Sequence, residues 1–406
     1  MDGSWKTDKW FTSPWNASED ARKNLNFSRN IKLHDVTLRD GEQQAGLCFS
    51  RDEKIALAEK LAEMGIHRIE AGMPVVSQDD REAIEHIVKM GLPSEIFAFC
   101  RCSKGDIKAA AETGVKGVVV EIPCSQHLIE KAYRWDLEKA VSLSIEATAY
   151  AHELGLYTVF FPIDMSRTDI AWALNLISRV ATEGYMDALT IVDTFGGLNM
   201  HAVPYLIKKF KDTLKKPIEV HFHDDFGLGV ANTLMALATG ADVAHTTVGG
   251  IGERAGNCCY EQLALSLLTL YGVDLKLNWD AMYDLNALLK KITGMPTRPN
   301  QCITGESLNC IESGIVTGWY KNVYPTDMLE LSPYMPSLVG APEAKVVLGK
   351  GSGLPSIEIY LESIGVKIED TAKKRELLAL VKQAALKKHG LLDVEEFEQI
   401  VRDYLK

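Results

Sequence analysis

From residue 31 onward the chain alternates short runs rich in β-branched and aromatic residues with longer stretches whose apolar positions recur every three or four residues. The short runs are Lys32–Thr37, Arg68–Gly72, Ile96–Cys100, Gly117–Pro123, Tyr157–Ile163, Ala188–Thr194, Ile218–Asp224 and Val243–Gly249. Between them lie segments such as RDEKIALAEKLAEMG and DLEKAVSLSIEATAYAHELG, each with a glycine where a helix would end. Val118–Val120 and Ile191–Val192 are apolar on both faces, as in parallel strands covered by helices. Eight such strand–helix units over residues 31–275 predict an α/β fold, a (β/α)8 TIM barrel. A doubly wound open sheet is the competing architecture, but it seldom needs eight units, and no G-x-G-x-x-G turn follows the first strand.

The flanks differ. Residues 1–30 are polar and irregular, an N-terminal arm bearing Trp5, Trp10 and Trp15. Three indoles are costly to leave in water, so the arm is expected to dock on its own barrel or on a partner subunit. Past residue 275 the alternation stops. Residues 277–295 read as helix, 296–360 as a loop-rich stretch punctuated by proline, and 368–388 as an amphipathic helix broken at His389-Gly390. A last helix, capped by Asp393, has Val394, Phe397, Ile400, Val401 and Tyr404 as its apolar face. Residues 276–406 are therefore expected to form a mainly helical C-terminal subdomain. Its helices and the Trp-bearing arm offer apolar surface that predicts a homodimer.

Composition narrows the function classes. The 406 residues include 44 Lys and Arg against 55 Asp and Glu, a formal charge of −11, and 46% are hydrophobic. That is globular composition without the basic excess of a nucleic-acid binder. No apolar run approaches the ~20 residues that span a bilayer. The opening MDGSWKTDKWF lacks the apolar core of a signal peptide, which points to a cytoplasmic protein with no membrane partner. The eight cysteines include no C-x-x-C pair and read as free thiols.

In a TIM barrel the chemistry sits at the C-terminal strand ends. The first predicted strand runs into Thr37-Leu38-Arg39-Asp40-Gly41-Glu42-Gln43, and the seventh contains His221-Phe222-His223-Asp224-Asp225. Residues i and i+2 of a strand share a face, so His221 and His223 project together. With Asp40 from the strand on the other side of the eighth, they make a two-imidazole, one-carboxylate set with open positions, suited to Zn²⁺, Mn²⁺, Fe²⁺, Co²⁺ or, less well, Mg²⁺. The competing view makes the pair ordinary core or surface histidines. Asp224 and Asp225 are expected to orient them or to cap the next helix. After the eighth strand, Gly249-Gly250-Ile251-Gly252-Glu253-Arg254-Ala255-Gly256-Asn257 lets the backbone approach a ligand, with a helix expected to start near Gly256; a plain tight turn is the alternative. Gly349-Lys350-Gly351-Ser352-Gly353 lacks the spacing of a nucleotide loop.

Taken together, HDVTLRDGEQ at 34–43, IEAG at 69–72, SRTD at 166–169, DTFG at 193–196, HFHDDFGLGVANT at 221–233 and TTVGGIGERAGN at 246–257 resemble the DRE-TIM metallolyase superfamily. Within it they most resemble the Claisen-condensing branch of homocitrate, 2-isopropylmalate and citramalate synthases. The resemblance implies that Asp40, His221 and His223 bind a divalent metal (Mn, Zn, Co or Mg), with Asn257 as further ligand or neighbour. It implies that Arg39 stabilises the developing enolate-like oxygen and that Gln43, Glu70 and Thr194 lie near a 2-oxo acid. Arg101 and Ser125, at other strand ends, are weaker substrate contacts. The implied reaction joins an acyl-CoA cosubstrate, acetyl-CoA in the first instance, to a small 2-oxo carboxylate.

Two departures stand out. Related synthases carry a proton-transferring Glu at the end of strand five, where this chain has Ile163. They also carry a His-Glu-Ser-Gly-Ile-His segment after the barrel, where this chain has Ile311-Glu312-Ser313-Gly314-Ile315-Val316. Glu312, Tyr320, His245 and Asp164 are the candidate replacements, Glu312 and Tyr320 foremost. If none serves, a metal-dependent C–C lyase acting on a 2-hydroxy acid or hydroxyacyl-CoA is the alternative. The segment after the barrel is too short for a full amino-acid-sensing domain, so leucine-type feedback is not expected.

Overall fold

A computed structural model, describing residues 4–406, gives a closed barrel of eight parallel strands in sequence order. They are β1 (Lys32–Asp35), β2 (Arg68–Glu70), β3 (Glu95–Arg101), β4 (Gly117–Pro123), β5 (Tyr157–Ile163), β6 (Ala188–Asp193), β7 (Ile218–Phe222) and β8 (Val243–Thr246). The ring closes where Lys32 of β1 pairs with Val243 of β8 and Asp35 with Thr246. Each predicted strand is present, but five of them end one to three residues earlier than the apolar pattern suggests. The cause is visible at β1, where the Asp40 amide turns back to Val36 O at 2.8 Å and the Asp35 carboxylate takes the Thr37 amide at 2.9 Å. The polar strand ends leave the ladder and become mouth loops.

Local signals hold the surrounding helices. Ser50 and Glu53 form a capping box for Arg51–Met64, which stops at a left-handed Gly65. Asp136 and Asp169 cap Leu137–Glu153 and Ile170–Glu183. The barrel centre holds Phe97, Phe99, Val119, Val159, Phe161 and Val192, one inward face drawn from adjacent strands.

Two compact units divide the chain. Trp15–Pro296 contains the barrel, together with the helix Met282–Thr293. The other joins residues 4–14 to Thr297–Lys406. The arm over residues 1–30 is thus not a single element. Phe11 N donates to Pro333 O at 2.9 Å and Met335 N to Lys9 O at 2.8 Å, so its first part is tied to the C-terminal chain. Trp15, on the barrel unit, stays 79% exposed.

In the C-terminal unit Cys310–Ile311 pairs in parallel with Lys345–Val346. The stretch read as loop also contains two helices, Gly314–Val323 and Leu354–Ser363, too short and too rich in glycine and proline neighbours to show a period. Thr371–Lys388 ends at a left-handed His389, and the Asp393 capping box opens Val394–Leu405, as expected. Phe397 and Val401 are buried against Leu348, Ile357, Leu377 and Val381, whereas Val394 is exposed. All eight cysteines are free thiols.

Candidate active site

Because β1 turns at Val36, Arg39 and Asp40 are carried over the barrel mouth, where His221 of β7 and His223 just beyond it meet them. The two histidines share a face, and their Nε2 atoms stand 3.3 Å apart. His221 Nε2 lies 3.6 Å from Asp40 Oδ2, and one ligand atom from each of Asp40, His221 and His223 falls within 4.8 Å of the others. His223 Nδ1 donates to Gly256 O at 3.1 Å, which leaves the Nε2 lone pair bare and aimed at its partners. The Asn257 Nδ2 donates to Asp40 Oδ1 at 2.7 Å, while its buried Oδ1 has no hydrogen-bond partner among the described residues.

Electrostatics suit this set to a cation. Burial pulls both imidazoles down, His221 well below the ordinary range, so both are neutral donors. Burial alone would raise the Asp40 carboxyl, but the Arg39 guanidinium, helped by the Asn257 hydrogen bond, holds it well below the usual carboxylate range. Two neutral nitrogens, one fixed anion and a free amide oxygen are a donor set that fits a divalent metal.

Arg39 is almost fully buried. Its Nη1 bonds Asp40 Oδ2 at 2.7 Å and Gln43 Oε1 at 3.3 Å, its Nε bonds Glu70, and its guanidinium lies 4.0 Å over the Phe99 ring. The Gly-rich loop closes the other side. Gly252 has φ +147° and a Cβ there would come 3.1 Å from Asp40 Oδ1 and collide with Asn257, so only glycine fits. Glu261 holds the loop by accepting from Gly249 N at 3.0 Å and from Asn286 Nδ2 at 2.8 Å. The helix after the loop starts at Tyr260, not near Gly256, and loop amides turn back on loop carbonyls, as Gly250 N does on Thr247 O at 3.2 Å and Asn257 N on Gly250 O at 3.2 Å.

A cavity of about 740 Å³ opens over these groups. Arg39, Asp40, Gln43, Arg101, Thr194, His221 and His223 line it, with Phe99, Phe161, Ile163 and Val192 as its apolar wall. Glu70 lies buried beneath Arg39 and Asn257 behind Asp40. Ser125 is buried and donates to Asp164 Oδ2 at 2.6 Å, so it supports the cavity's rim rather than facing it. Asp164 is further held by Arg167 Nε at 2.6 Å and lends its amide to Thr194 Oγ1 at 2.8 Å. Asp224 caps Gly229 N at 2.6 Å and Asp225 pairs with Arg254 at 2.9 Å, so neither orients a histidine. Glu312 and Tyr320 belong to the other unit. There Glu312 accepts from Gly351 N at 2.7 Å, anchoring the glycine loop, and Tyr320 stacks on Tyr324 at 4.9 Å.

Below the cavity runs a chain of buried polar groups, of which only His245 and Glu70 stood out in the sequence. Arg68 bonds Glu219 at 2.7 Å, Glu219 bonds His245 Nε2 at 2.9 Å, His245 stacks on His34 at 4.4 Å, and His34 Nε2 stands 3.4 Å from Glu70. Period two carried back from His221 to Glu219 would have found part of it. His245 is thereby committed to a carboxylate inside the barrel.

The HMGL-like family model matches residues 30–289, the span of the barrel and its mouth. The chain belongs to the HMGL-like family. Among curated relatives, homocitrate synthase from Methanothermobacter thermautotrophicus is 36% identical over 89% of this chain and 90% of its own. The putative (R)-citramalate synthase of Archaeoglobus fulgidus is 35% identical over 90% and 73%. The 2-isopropylmalate synthase of Methanocaldococcus jannaschii is 34% identical over 89% and 69%. Among solved structures, the HMG-CoA lyase of Bacillus subtilis superposes with a TM-score of 0.60 at 18% identity, over 68% of this chain and 99% of that one, a likeness of fold.

Proposed function

We propose that this family member is a divalent-metal-dependent synthase. It joins an acyl-CoA, acetyl-CoA in the first instance, to a 2-oxo acid, forms a 2-hydroxy di- or tricarboxylate and releases CoA. The observation that carries the reading is the meeting of Asp40, His221 and His223 with Arg39 at the floor of one cavity, in a chain whose full-length relatives are synthases of this kind. A divalent ion held by Asp40, His221 and His223, with the Asn257 amide oxygen beside them, would act as Lewis acid toward the keto carbonyl.

The remaining work falls to the chain's own side chains. Arg39, held rigid by Glu70 and Asp40, supplies fixed positive charge where negative charge grows on oxygen. Gln43 and Thr194, on the cavity wall, would bond the oxo acid's carboxylate, whereas Arg101, on the same wall, is already held by Asp106 through Nε at 2.8 Å and Nη2 at 3.0 Å and would offer an acidic tail only its remaining N–H groups. The apolar wall of Phe99, Phe161 and Val192 keeps water from the acyl donor.

A coupled screen of acetyl-, propionyl- and malonyl-CoA against a panel of 2-oxo acids, with each metal supplied in turn, tests the reading. Thiol release and the condensed product by mass are expected, and both should vanish in His221→Ala. No release across the panel would refute it. Ile163, apolar on the cavity wall, favours a second reading as a C–C lyase, which cleavage of a 2-hydroxy acid to a 2-oxo acid would support. Among the described residues no helix is long and apolar enough to cross a membrane; a cytoplasmic setting is part of the proposal. So is a homodimer, since Ile315 and Trp319 lie exposed one turn apart on Gly314–Val323. A monomeric mass at micromolar concentration would exclude it.

A further inference from the structure

Making a bond at the methyl carbon of an acyl thioester first requires a base to take one of its protons, and a carboxylate already tied to a cation serves poorly. Six carboxyl groups line the cavity: Asp40, Glu42, Asp79, Asp80, Glu121 and Glu253. Five are committed or open to water. Asp40 is paired with Arg39 at 2.7 Å and takes the Asn257 amide. Glu42 and Asp80 close on Lys54 from two sides. Asp79 is exposed in the first turn of Gln78–Lys89, and Glu253 faces Arg254 at 3.5 Å with its side chain 55% exposed. Glu121 is partly buried, and among the described residues its carboxylate makes no hydrogen bond or ion pair.

Strand register fixes where that carboxylate points. Glu121 lies two residues beyond Val119 of β4, whose side chain is in the barrel centre, so it shares the inward face. It pairs with Arg101 of β3 on one side and Phe161 of β5 on the other. β5 brings Phe161 and Ile163 to the same cavity and no proton carrier with them. Burial pushes the Glu121 carboxyl up, Arg39 and Arg101 pull it back, and Asp106 adds a like charge; the balance lies above the ordinary carboxylate range. Such a group is a stronger base than an exposed carboxylate and remains within the field of two cations.

We propose that Glu121 is the general base of the condensation and takes the α-proton of the acyl thioester, an inference that rests on the synthase reading above. The C–H pair becomes the enolate double bond as the carbonyl pair moves to the thioester oxygen. The enolate carbon then bonds the keto carbon of the 2-oxo acid, whose π pair moves to the keto oxygen. That oxygen receives the proton held by Glu121. Water cleaves the thioester, and sulfur leaves as the thiol with one of the water's protons. Acyl-CoA, 2-oxo acid and water thus give the 2-hydroxy diacid and CoA, and Glu121 ends as it began.

Glu121→Gln keeps shape and removes the base. In the metal-loaded full chain, kcat is expected to fall by about 10²–10⁴ while the KM of the 2-oxo acid stays within about twofold. Washout of deuterium from a methyl-deuterated acyl-CoA should fall in parallel, and the acidic limb of the pH–kcat profile should disappear. A carboxylate returned to the next strand, in Glu121→Gln/Ile163→Glu, should restore at least a tenth of the lost exchange. Thermal melting of each variant separates misfolding from loss of the base. A folded Glu121→Gln with kcat within about threefold of wild type overturns the inference and leaves the synthase reading standing. So does a variant whose loss lies wholly in KM. Wild-type protein that releases no thiol across the panel overturns both.

Discussion

Arg39→Met is the substitution whose consequences can be worked most fully from the geometry. Its guanidinium is nearly buried between the fully buried Glu70 and Asp40, bonding both, with the Phe99 ring 4.0 Å away. Once the cation is removed, Glu70 keeps only His34 at 3.4 Å, and burial has drawn that imidazole down to about 4, so it is neutral and no counter-charge. A buried pair broken from one side costs about 3–5 kcal/mol. With an unfolding entropy of about 2.1 cal/mol/K per residue over roughly 280 residues of the barrel unit, that is a fall in Tm of about 5–8 °C. Loss of preorganised charge at the reacting oxygen should lower kcat by about 10²–10³. The double variant Arg39→Met/Glu70→Gln removes the stranded anion. It should recover more than half of the lost Tm and none of the lost kcat. Scanning calorimetry on chelator-treated protein and thiol release on metal-loaded protein read the two effects separately. A single variant melting within about 2 °C of wild type, or a double variant with restored turnover, would refute the reasoning.

Asp35 offers a pH test. Burial raises its carboxyl to about 7, so its stabilising contribution is complete below the ordinary carboxylate value and is lost as pH rises through 7, by about 4 kcal/mol at pH 8. Asp35→Asn escapes that loss, and its Tm relative to wild type should climb between pH 5 and pH 8; a pH-independent difference would contradict the assignment. Calorimetric titration of Mn²⁺ into chelator-treated protein should show one site per chain, weakened by about 100-fold or more in His221→Ala. Because both imidazoles are already neutral, Kd should change by less than about threefold between pH 6.5 and 8, and a tenfold change would count against the site. Phe397→Ala, at a fully buried position edge-on to Tyr360 at 5.5 Å, should destabilise the C-terminal unit by about 3–5 kcal/mol in denaturant unfolding.

The barrel was legible because a repeated βα unit writes both of its periods into the chain, and strands buried on both faces are unmistakably apolar. His221 and His223 were legible for a related reason: i and i+2 on a strand must share a face, whatever the strand packs against. The C-terminal unit was harder to read. Gly314–Val323 and Leu354–Ser363 are each ten residues long, and ten residues hold too few turns to distinguish a helical period from a proline-rich loop. The stabilising contacts of the first arm, Phe11 to Pro333 and Lys9 to Met335, join segments more than 300 residues apart, and no local pattern encodes them.

The sequence by itself determined the architecture, the identity of the metal-seeking side chains and the need for glycine beside them, because each follows from local geometry or side-chain chemistry. Only the tertiary structure decided which charges are spent. It pairs Arg39 with Glu70, commits His245 to Glu219, places Ser125 behind Asp164 and leaves the Glu121 carboxylate without a hydrogen bond or ion pair among the described residues. Whether an ionisable group is free or satisfied depends on what the neighbouring strands bring within 3 Å of it, and strand neighbours are set by the closure of the ring.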